Sequence, residues 1–483
     1  MYSWFLLLIF YIPFQIALNP APNFDVASLR VFIVLFFLIW LVKRIWTSDI
    51  RWALDVRNLQ SVGLFLFFIS ILFSLIGSEN AFWGARKVIF FASIFPLYFL
   101  TAALADSWVK IKKLFNVLII GGVFFAFIGL LQFLFAFIFG LEEVCGFWTR
   151  NIVPVFSGFN FGALILAYPS WLVNVGGKTI VRAFSLFSDP HMFSFYLGMI
   201  LPLIILSLSI IPALSFVIPA RFAKASARRA RFAKASARRA KAGIQYLPRK
   251  IQASSFTRTT IMYTSFIAVF AALLLSFARG AYAAAIVSFL LVSALVWIFL
   301  KKKKIPILLC SLLLIFIIPG TPISDRFYSS FDLSEGSNAG RLEMWRQSGQ
   351  TGLNSFWNGV GLGNYSLVVN SDFGYRNPAT AHNLYLDIFS EIGFIGLFFW
   401  LFLFFGTIWQ LFQKLKETKV KEQKYVIIGL LGSFAYFLVH SFFETPIYNP
   451  SVLALLMVIL GLSSVVVKTI EKFKDTPCQR KCN

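Results

Sequence analysis

The sequence predicts an all-α protein that crosses a membrane many times. Of its 483 residues, 59% are hydrophobic, and the mean hydropathy of +0.79 is far above that of an ordinary soluble domain. A membrane-spanning helix needs about 20 mostly apolar residues, and twelve windows of that kind can be read along the chain. Because lipid offers backbone groups no hydrogen-bond partner, and alternating barrel strands are absent from the sequence, these windows are expected to be helices.

The twelve windows divide the chain into five parts. They lie at residues 3–18, 28–46, 60–77, 82–105, 113–139, 191–217, 260–278, 281–300, 305–320, 385–412, 425–443 and 451–467. The predicted parts are helices one to five (1–139), a first outer-face segment (140–190), helices six to nine (191–320), a large outer-face segment (321–384), and helices ten to twelve with a basic tail (385–483). The first window has no basic region before it and no small-residue cleavage site, so an uncleaved helix is expected.

Positive charge is concentrated on one side of the predicted helices. The chain holds 44 lysines and arginines against 20 acidic residues, a formal net charge of +24. With a cytoplasmic N-terminus, 33 of these basic residues fall in inside segments and 11 outside. Inside loops carry the basic excess in membrane proteins, so both termini are expected inside. This topology also explains a basicity that in a soluble chain would indicate a nucleic-acid binder, and no nucleic-acid partner is expected.

The inside segment 218–259 contains a tandem repeat. The ten residues RFAKASARRA occur at 221–230 and again at 231–240. Alanine, lysine and arginine favour helix, and the basic excess would attract anionic headgroups. The simpler interpretation is an insertion that a solvated loop tolerates, and no chemistry is expected there.

The four cysteines give no indication of a metal site. Cys145, Cys310, Cys478 and Cys482 form no CxxC pair. Zinc would need more ligands near the two tail cysteines than the chain offers. We therefore expect no metal, no other cofactor and no structural disulfide.

The tenth predicted helix opens on its most polar turn. The stretch TAHNLYLDIFSEIGFIGLFFW, which starts at residue 380, places His382 at the mouth of an apolar run. If one helix covers the stretch, His382, Gly393 and Gly396 lie within about 40° of one line, at about 100° per residue. Such a face is small enough for another helix or a lipid chain to press against. Asp387 and Glu391, four residues apart, need an outer-surface location or cationic partners.

His382 has two interpretations. Its reference pKa of about 6.5 suits a general base near neutral pH. The alternative is an interfacial histidine whose imidazole is satisfied by Asn383 or by water. The chain has three histidines, and the other two, His191 and His440, are expected to be interfacial with structural roles. Nearby arginines are expected to lower the pKa of His382.

Four arginines on the predicted outer side lie beside apolar runs. Arg279 stands between two windows in LLLSFARGAYAAAIV, Arg341 and Arg346 are in GRLEMWRQSGQ, and Arg182 precedes AFSLFSDPHMFSFYL. Guanidinium groups bind phosphate oxygens in a bidentate manner, so these side chains are candidates for one anion site on the same side as His382. For Arg279 the alternative is snorkelling, in which the side chain only reaches the membrane surface.

A glycine-rich segment, WNGVGLGNYS at 357–366, invites comparison with a phosphate-binding loop. Its glycines are Gly359, Gly361 and Gly363. No lysine follows in the position that such a loop requires, and no strand precedes it. A tight turn is the better interpretation.

Several of these motifs together resemble one known family. AHNLYLDIFSEIGFIG fits the signature of the O-antigen ligase family, a histidine and an asparagine followed by nine residues, a glycine, two residues and a glycine. FARGAY resembles the family's Ser-Arg-Gly element, with Ala278 where serine is common. GRLEMW, GVGLGNY and RAFSLFSDPHMFSFYL resemble further family segments. The resemblance covers roughly residues 180–465 in order.

The resemblance implies a twelve-helix glycosyltransferase of the lipid-carrier type. It would transfer an undecaprenyl-diphosphate-linked glycan to a hydroxyl of a glycan or lipid-anchored acceptor, with inversion at the anomeric carbon. The reaction would take place on the outer face of the bacterial inner membrane, in the biosynthesis of lipopolysaccharide or other cell-envelope polysaccharide, without a metal.

The resemblance also implies roles for individual residues. By motif position His382 would be the base, and Arg279 and Arg341 would grip the donor's diphosphate. Arg346 and Arg182 are added because they lie near these motifs in the sequence. The remaining candidate substrate contacts belong to the signature itself: Asn383, Gly393 and Gly396. The two glycines would lie against the isoprenoid.

Two alternatives stay open. Polymerases of the same family share this architecture, and no pattern in the sequence separates them from ligases. A lipid-linked glycan flippase or exporter would also place basic residues along a path. Against transport, the candidate arginines are confined to the outer side, and no inverted repeat of broken helices is evident.

Overall fold

The computed structural model describes residues 1–21, 24–47, 58–167, 170–210, 246–332, 336–370 and 379–474. The structure is 78% helical, so the all-α prediction is confirmed. The tandem repeat at 221–240 and the two tail cysteines lie outside the described residues.

The described helices vary widely in length. In chain order they are α1 (Tyr2–Tyr11), α2 (Ser28–Trp46), α3 (Leu59–Phe73), α4 (Ala81–Ile94), α5 (Pro96–Leu104), α6 (Trp108–Phe139), α7 (Leu141–Phe147), α8 (Val153–Ser157), α9 (Phe159–Ala167), α10 (Pro190–Ile210), α11 (Tyr246–Leu274), α12 (Arg279–Leu300), α13 (Lys304–Leu313), α14 (Pro322–Tyr328), α15 (Gly336–Asn354), α16 (Tyr365–Val369), α17 (Leu384–Glu417), α18 (Lys421–His440) and α19 (Pro450–Lys474).

Within the described residues, two small antiparallel hairpins interrupt the helices. The strands are β1 (Ala17–Ala21) with β2 (Phe24–Ala27), and β3 (Leu172–Val175) with β4 (Lys178–Val181). The second hairpin pairs Leu172 with Val181 and turns through Gly176 and Gly177, whose φ angles are 59° and 78°. A two-residue turn with positive φ at both positions favours this glycine pair.

The apolar helices agree with the positions of the predicted membrane spans. Each of the twelve predicted windows overlaps a described helix. Among the described residues, five helices are long and apolar enough to cross a membrane: 81–104, 108–139, 279–300, 384–417 and 450–471. Five further apolar helices are shorter. The twelve-span count and the inside location of both termini stay predictions.

The helix α19 lies at the centre of the bundle. In its most apolar window 94% of the residues are buried, against 44–50% in the four other long spans. Beside it, α18 packs closely on α10 and α12. A side chain at Gly198 of α10 would lie 1.9 Å from the Tyr436 ring of α18, so only glycine admits this tyrosine. This packing holds the end of α18, and the loop after it, against the start of α10.

Candidate active site

His382 stands in the connection that leads into α17. The helix begins at Leu384 because the side chain of Asn383 accepts hydrogen bonds from the backbone N–H groups of Tyr385 and Leu386, at 3.0 and 3.2 Å. His382 precedes this cap and has a left-handed backbone with φ of 48°. For a residue with a side chain this conformation is unfavourable, so the surrounding contacts must hold it in place.

The imidazole of His382 binds a buried carboxylate. Its Nδ1 lies 2.7 Å from Oε1 of Glu444, in the loop between α18 and α19. The other oxygen of Glu444 lies 3.8 Å from Nδ1 of His191 and 3.8 Å from a terminal nitrogen of Arg341. The His382 side chain is 41% exposed, whereas that of Glu444 is 11% exposed. One buried acid therefore joins two histidines and an arginine, and the imidazole of His382 remains accessible.

A second carboxylate fixes the position of this pair. One oxygen of Asp387 accepts a hydrogen bond from the backbone N–H of Ala381, at 2.8 Å. Its other oxygen accepts a hydrogen bond from the hydroxyl of Thr445. Asp387 thus binds the residue before His382 and the residue after Glu444, which explains how two segments far apart in sequence are held at hydrogen-bond distance.

Arg182 lies behind His191 and is 4% exposed. Its Nε donates to the carbonyl of Ser276 at 2.7 Å, and a terminal nitrogen donates to the carbonyl of Ser170 at 3.1 Å. The other terminal nitrogen lies 3.5 Å from Nε2 of His191. Arg182 therefore reaches the Glu444 carboxylate only through His191, and its fork is largely used on backbone carbonyls.

The remaining candidate arginines are distributed unequally. Arg341 contacts Glu444 as described. Arg279 donates to the carbonyl of Ser329, directly after α14, at 3.3 Å and to the hydroxyl of Ser337, in the first turn of α15, at 2.9 Å. Arg346 does not join the cluster. Its side chain is 67% exposed and pairs at 2.8 Å with Glu343 on its own helix.

Glu391 has the cationic partner that the sequence required. Its carboxylate pairs with Lys87 of α4 at 3.1 Å and accepts a hydrogen bond from the hydroxyl of Tyr448 at 2.6 Å. The residue itself is 4% exposed. Charge pairing, and not an outer-surface location, makes this buried acid tolerable.

The two glycines of the signature are packed against the protein itself. Gly393 has φ of 74° and breaks α17 into two helical parts. A Cβ at this position would lie 2.4 Å from the backbone carbonyl of Trp357. At Gly396 a Cβ would meet Ile392 at 2.3 Å and the hydroxyl of Ser70 at 3.6 Å. The expectation of one straight helical face shared with His382 is therefore wrong, whereas the alternative that another helix presses on this face agrees with the contact of Gly396 with Ser70 of α3.

The glycine-rich segment forms the backbone that contacts Gly393. Gly359, Gly361 and Gly363 have φ of 67°, 97° and 81°, which confirms the tight-turn prediction. The backbone N–H of Gly361 donates to the carbonyl of Glu391 at 3.0 Å, and that of Phe394 donates to the carbonyl of Phe356 at 2.7 Å. These hydrogen bonds satisfy backbone groups freed by the kink in α17.

Most of the motifs singled out from the sequence fall within one stretch of the chain, which includes His382, the glycine-rich turn and three of the four candidate arginines. Residues 264–401 match the model of the O-antigen ligase family. This match confirms the family resemblance. The O-antigen ligase segment supplies His382, Arg279 and Arg341, whereas Glu444 and Arg182 come from outside it. No curated protein matches the chain.

The charges around His382 shift its pKa. The negative charge of Glu444 raises the pKa of His382, against the opposing effect of burial. Arg341 does lower the pKa of His382, as expected of an arginine, but the Glu444 carboxylate outweighs it, so the expected net lowering is wrong. Burial alone would raise the pKa of Glu444, but His382, His191 and Arg341 outweigh it and hold that pKa well below its usual range.

Sequence reasoning missed Glu444 and His191. His191 contacts Glu444, a contact that the sequence did not indicate. The interfacial prediction for His440 is wrong, because this side chain is completely buried and stacked on Phe195 with ring centroids 3.7 Å apart. The sequence could have indicated Glu444 as a site residue, because a carboxylate between two predicted apolar helices needs a hydrogen-bond or charged partner. The partner's identity depends on the fold.

Proposed function

We propose that this chain is a membrane glycosyltransferase of the O-antigen ligase and polymerase type. It transfers a glycan from an undecaprenyl-diphosphate carrier to a hydroxyl of a glycan or lipid-anchored acceptor, on the outer face of the bacterial inner membrane. The observation that carries the proposal is the 2.7 Å contact between His382, in the family-matched segment, and the buried Glu444.

The proposed role of His382 follows from this contact. When Nδ1–H donates to the Glu444 carboxylate, Nε2 carries the lone pair and accepts the proton of the acceptor hydroxyl. The carboxylate then stabilises the imidazolium that forms. With 41% of its side chain exposed, the imidazole is open to a substrate. His382 and Glu444 together form a base and the group that orients it.

Bond changes in the proposed step balance without a metal. The acceptor oxygen forms a bond to the anomeric carbon while its proton passes to His382. The bond from that carbon to the diphosphate oxygen breaks, and its electron pair leaves with the polyprenyl diphosphate. Attack from the side opposite the leaving group inverts the anomeric configuration.

The donor's diphosphate requires cations on the side of Glu444 away from the acceptor. Arg341 is suited to this because it already lies 3.8 Å from the Glu444 carboxylate. Arg279 is suited because its guanidinium already donates to two oxygens, the carbonyl of Ser329 and the hydroxyl of Ser337, and phosphate oxygens are stronger acceptors than either. Arg182 supports His191 in this proposal, and Arg346 is left out because it is exposed and paired with Glu343.

The test uses purified full-length protein in lipid nanodiscs with a polyprenyl-diphosphate-linked oligosaccharide as donor. His382→Ala is expected to lower transfer by about 10²–10⁴-fold, the usual contribution of a general base, while donor binding persists through the arginines. His440→Ala is the matched control for loss of a histidine, with thermal unfolding measured for both. Full activity of His382→Ala would contradict the proposed step.

A cellular experiment separates the two activities within the proposal. Deleting the gene and resolving the surface polysaccharide on a gel gives different patterns. A ligase deletion leaves lipid-linked long chains that are not attached to their anchor. A polymerase deletion leaves single repeats.

A further inference from the structure

A cavity of about 500 Å³ lies next to the His382–Glu444 pair and takes no part in the donor contacts described above. Its charged lining residues are Arg30, Arg86, Lys87, Asp25 and Asp189. Every lining residue lies outside the segment 264–401 that matches the O-antigen ligase family. In the predicted topology all of them lie on the outer side, the same side as His382.

Two lining residues connect this cavity to the candidate base. Thr445 lines the cavity, directly follows Glu444 and binds Asp387, the residue that positions His382. Asp189 lines it as well and caps α10 by accepting hydrogen bonds from the backbone N–H groups of His191 and Met192, both at 2.9 Å. Two lining residues therefore connect the cavity wall to the neighbours of Glu444: Thr445 is adjacent to it in the chain, and Asp189 binds the backbone of His191, which contacts its carboxylate.

The lining chemistry suits a sugar that carries an oxyanion. Arg30 and Lys87 are held over aromatic rings, with Arg30 5.0 Å from the centroid of Phe90 and Lys87 4.0 Å from that of Tyr448. Guanidinium groups recognise phosphate and carboxylate, and carboxylates such as Asp25 accept hydrogen bonds from sugar hydroxyls. The volume is within the range of about 300–1,000 Å³ that is typical of ligand pockets.

An inverting transfer needs two separate polar sites. The nucleophile must attack the anomeric carbon from the side opposite the leaving diphosphate, with the reacting atoms held in line. In the proposed function, Arg341 and Arg279 bind the leaving diphosphate. The cavity provides a second polar site, lined by Thr445, Tyr448 and Asn449 of the loop that carries Glu444.

We propose that this cavity is the acceptor site and that Arg30 and Arg86 recognise an oxyanion, phosphate or carboxylate, on the acceptor sugar. The bound sugar then presents its free hydroxyl to His382. This inference rests on the proposed function, since it names the acceptor of that same reaction.

The test measures acceptor recognition with three synthetic lipid-anchored disaccharides: one phosphorylated, one bearing a uronic acid, and one neutral. Arg30→Gln and Arg86→Gln in full-length protein are expected to raise the acceptor KM by about tenfold or more for a charged acceptor, with the donor KM unchanged. Arg150→Gln, at an exposed arginine in the same half of the chain, is the matched control and should leave both constants unchanged. Arg30→Lys and Arg86→Lys retain the charge and should lose less.

Each outcome decides between supporting and overturning the inference. A preference of the wild-type protein for the phosphorylated or the carboxylated disaccharide identifies the oxyanion. Equal KM for charged and neutral acceptors would overturn the inference, and so would an increase confined to the donor KM. Binding of the charged disaccharide to His382→Ala protein is measured separately. Arg86-dependent binding without any transfer in the wild-type protein would refute the proposed function and not the site.

Discussion

Replacing Glu444 by glutamine tests whether the carboxylate tunes the candidate base. The substitution preserves size and removes the charge that lies 2.7 Å from Nδ1 of His382. A hydrogen bond to a charged group contributes about 1.5–3 kcal/mol. If that energy stabilises the imidazolium formed during transfer, Glu444→Gln should lower kcat by about 10–150-fold at a pH where His382 is neutral.

The pH profile gives an independent reading of the same contact. Glu444 raises the pKa of His382 above its ordinary 6.5, and a base acts in its neutral form. The acidic limb of the wild-type rate should therefore lie above pH 6.5, with activity lost as the pH falls through the raised pKa. In Glu444→Gln the acidic limb of the kcat profile should move to lower pH, and the maximal kcat should fall.

The assay is donor turnover in nanodiscs between pH 5.5 and 9, expressed as kcat. Glu343→Gln, at an exposed acid that pairs with Arg346, is the control for loss of one carboxylate. Thermal unfolding of both variants separates a folding defect from a catalytic one. A well-folded Glu444→Gln protein with an unchanged limb and an unchanged plateau would refute the coupling between the two residues.

Four other predictions concern residues around this site. Asp387→Asn should lower kcat by about tenfold or more with donor binding retained, because one of the two hydrogen bonds that align His382 is weakened; unchanged kcat would remove its positioning role. Gly393→Ala should lower the free energy of unfolding by at least about 1–3 kcal/mol, measured by chemical denaturation, because φ is 74° and backbone lies within 2.4 Å; wild-type stability would contradict the close packing. Arg279→Lys should lose much of the transfer activity while Arg346→Lys keeps it, since only the former is expected to meet the diphosphate; equal rates in a membrane assay would favour snorkelling for Arg279. Deleting residues 231–240 should leave transfer intact, because loop-closure entropy changes slowly with length; a well-inserted but inactive deletion would indicate a missed contact.

Hydropathy predicts the helices of this chain well because burial in lipid and burial in protein select the same residues. It is less informative about their exact ends and bends. The window 385–412 reads as one apolar run, yet Gly393 breaks it because the 356–361 backbone passes within hydrogen-bond distance. That backbone lies about thirty residues earlier in the sequence, so no local pattern indicates it.

The candidate site could be predicted in part. His382 and Arg341 are found from a polar turn and a basic motif on the expected side of the membrane. Their common partner, Glu444, lies 62 residues beyond His382 and is brought to it by the packing of α18. The direction of the pKa shift of His382 could not be predicted for the same reason, because it depends on Glu444, which is not part of the local sequence.

The break in α17 has a mechanical consequence. The short upper part of the helix, from Leu384 to the kink, is tied through Asp387 to the 444–445 loop, whereas the longer lower part extends to Glu417. Bilayers of different thickness change the tilt of long helices. Since Gly393 separates the two parts, we expect such tilting to be taken up at the kink, leaving the distance between His382 and Glu444 insensitive to the thickness of the surrounding lipid.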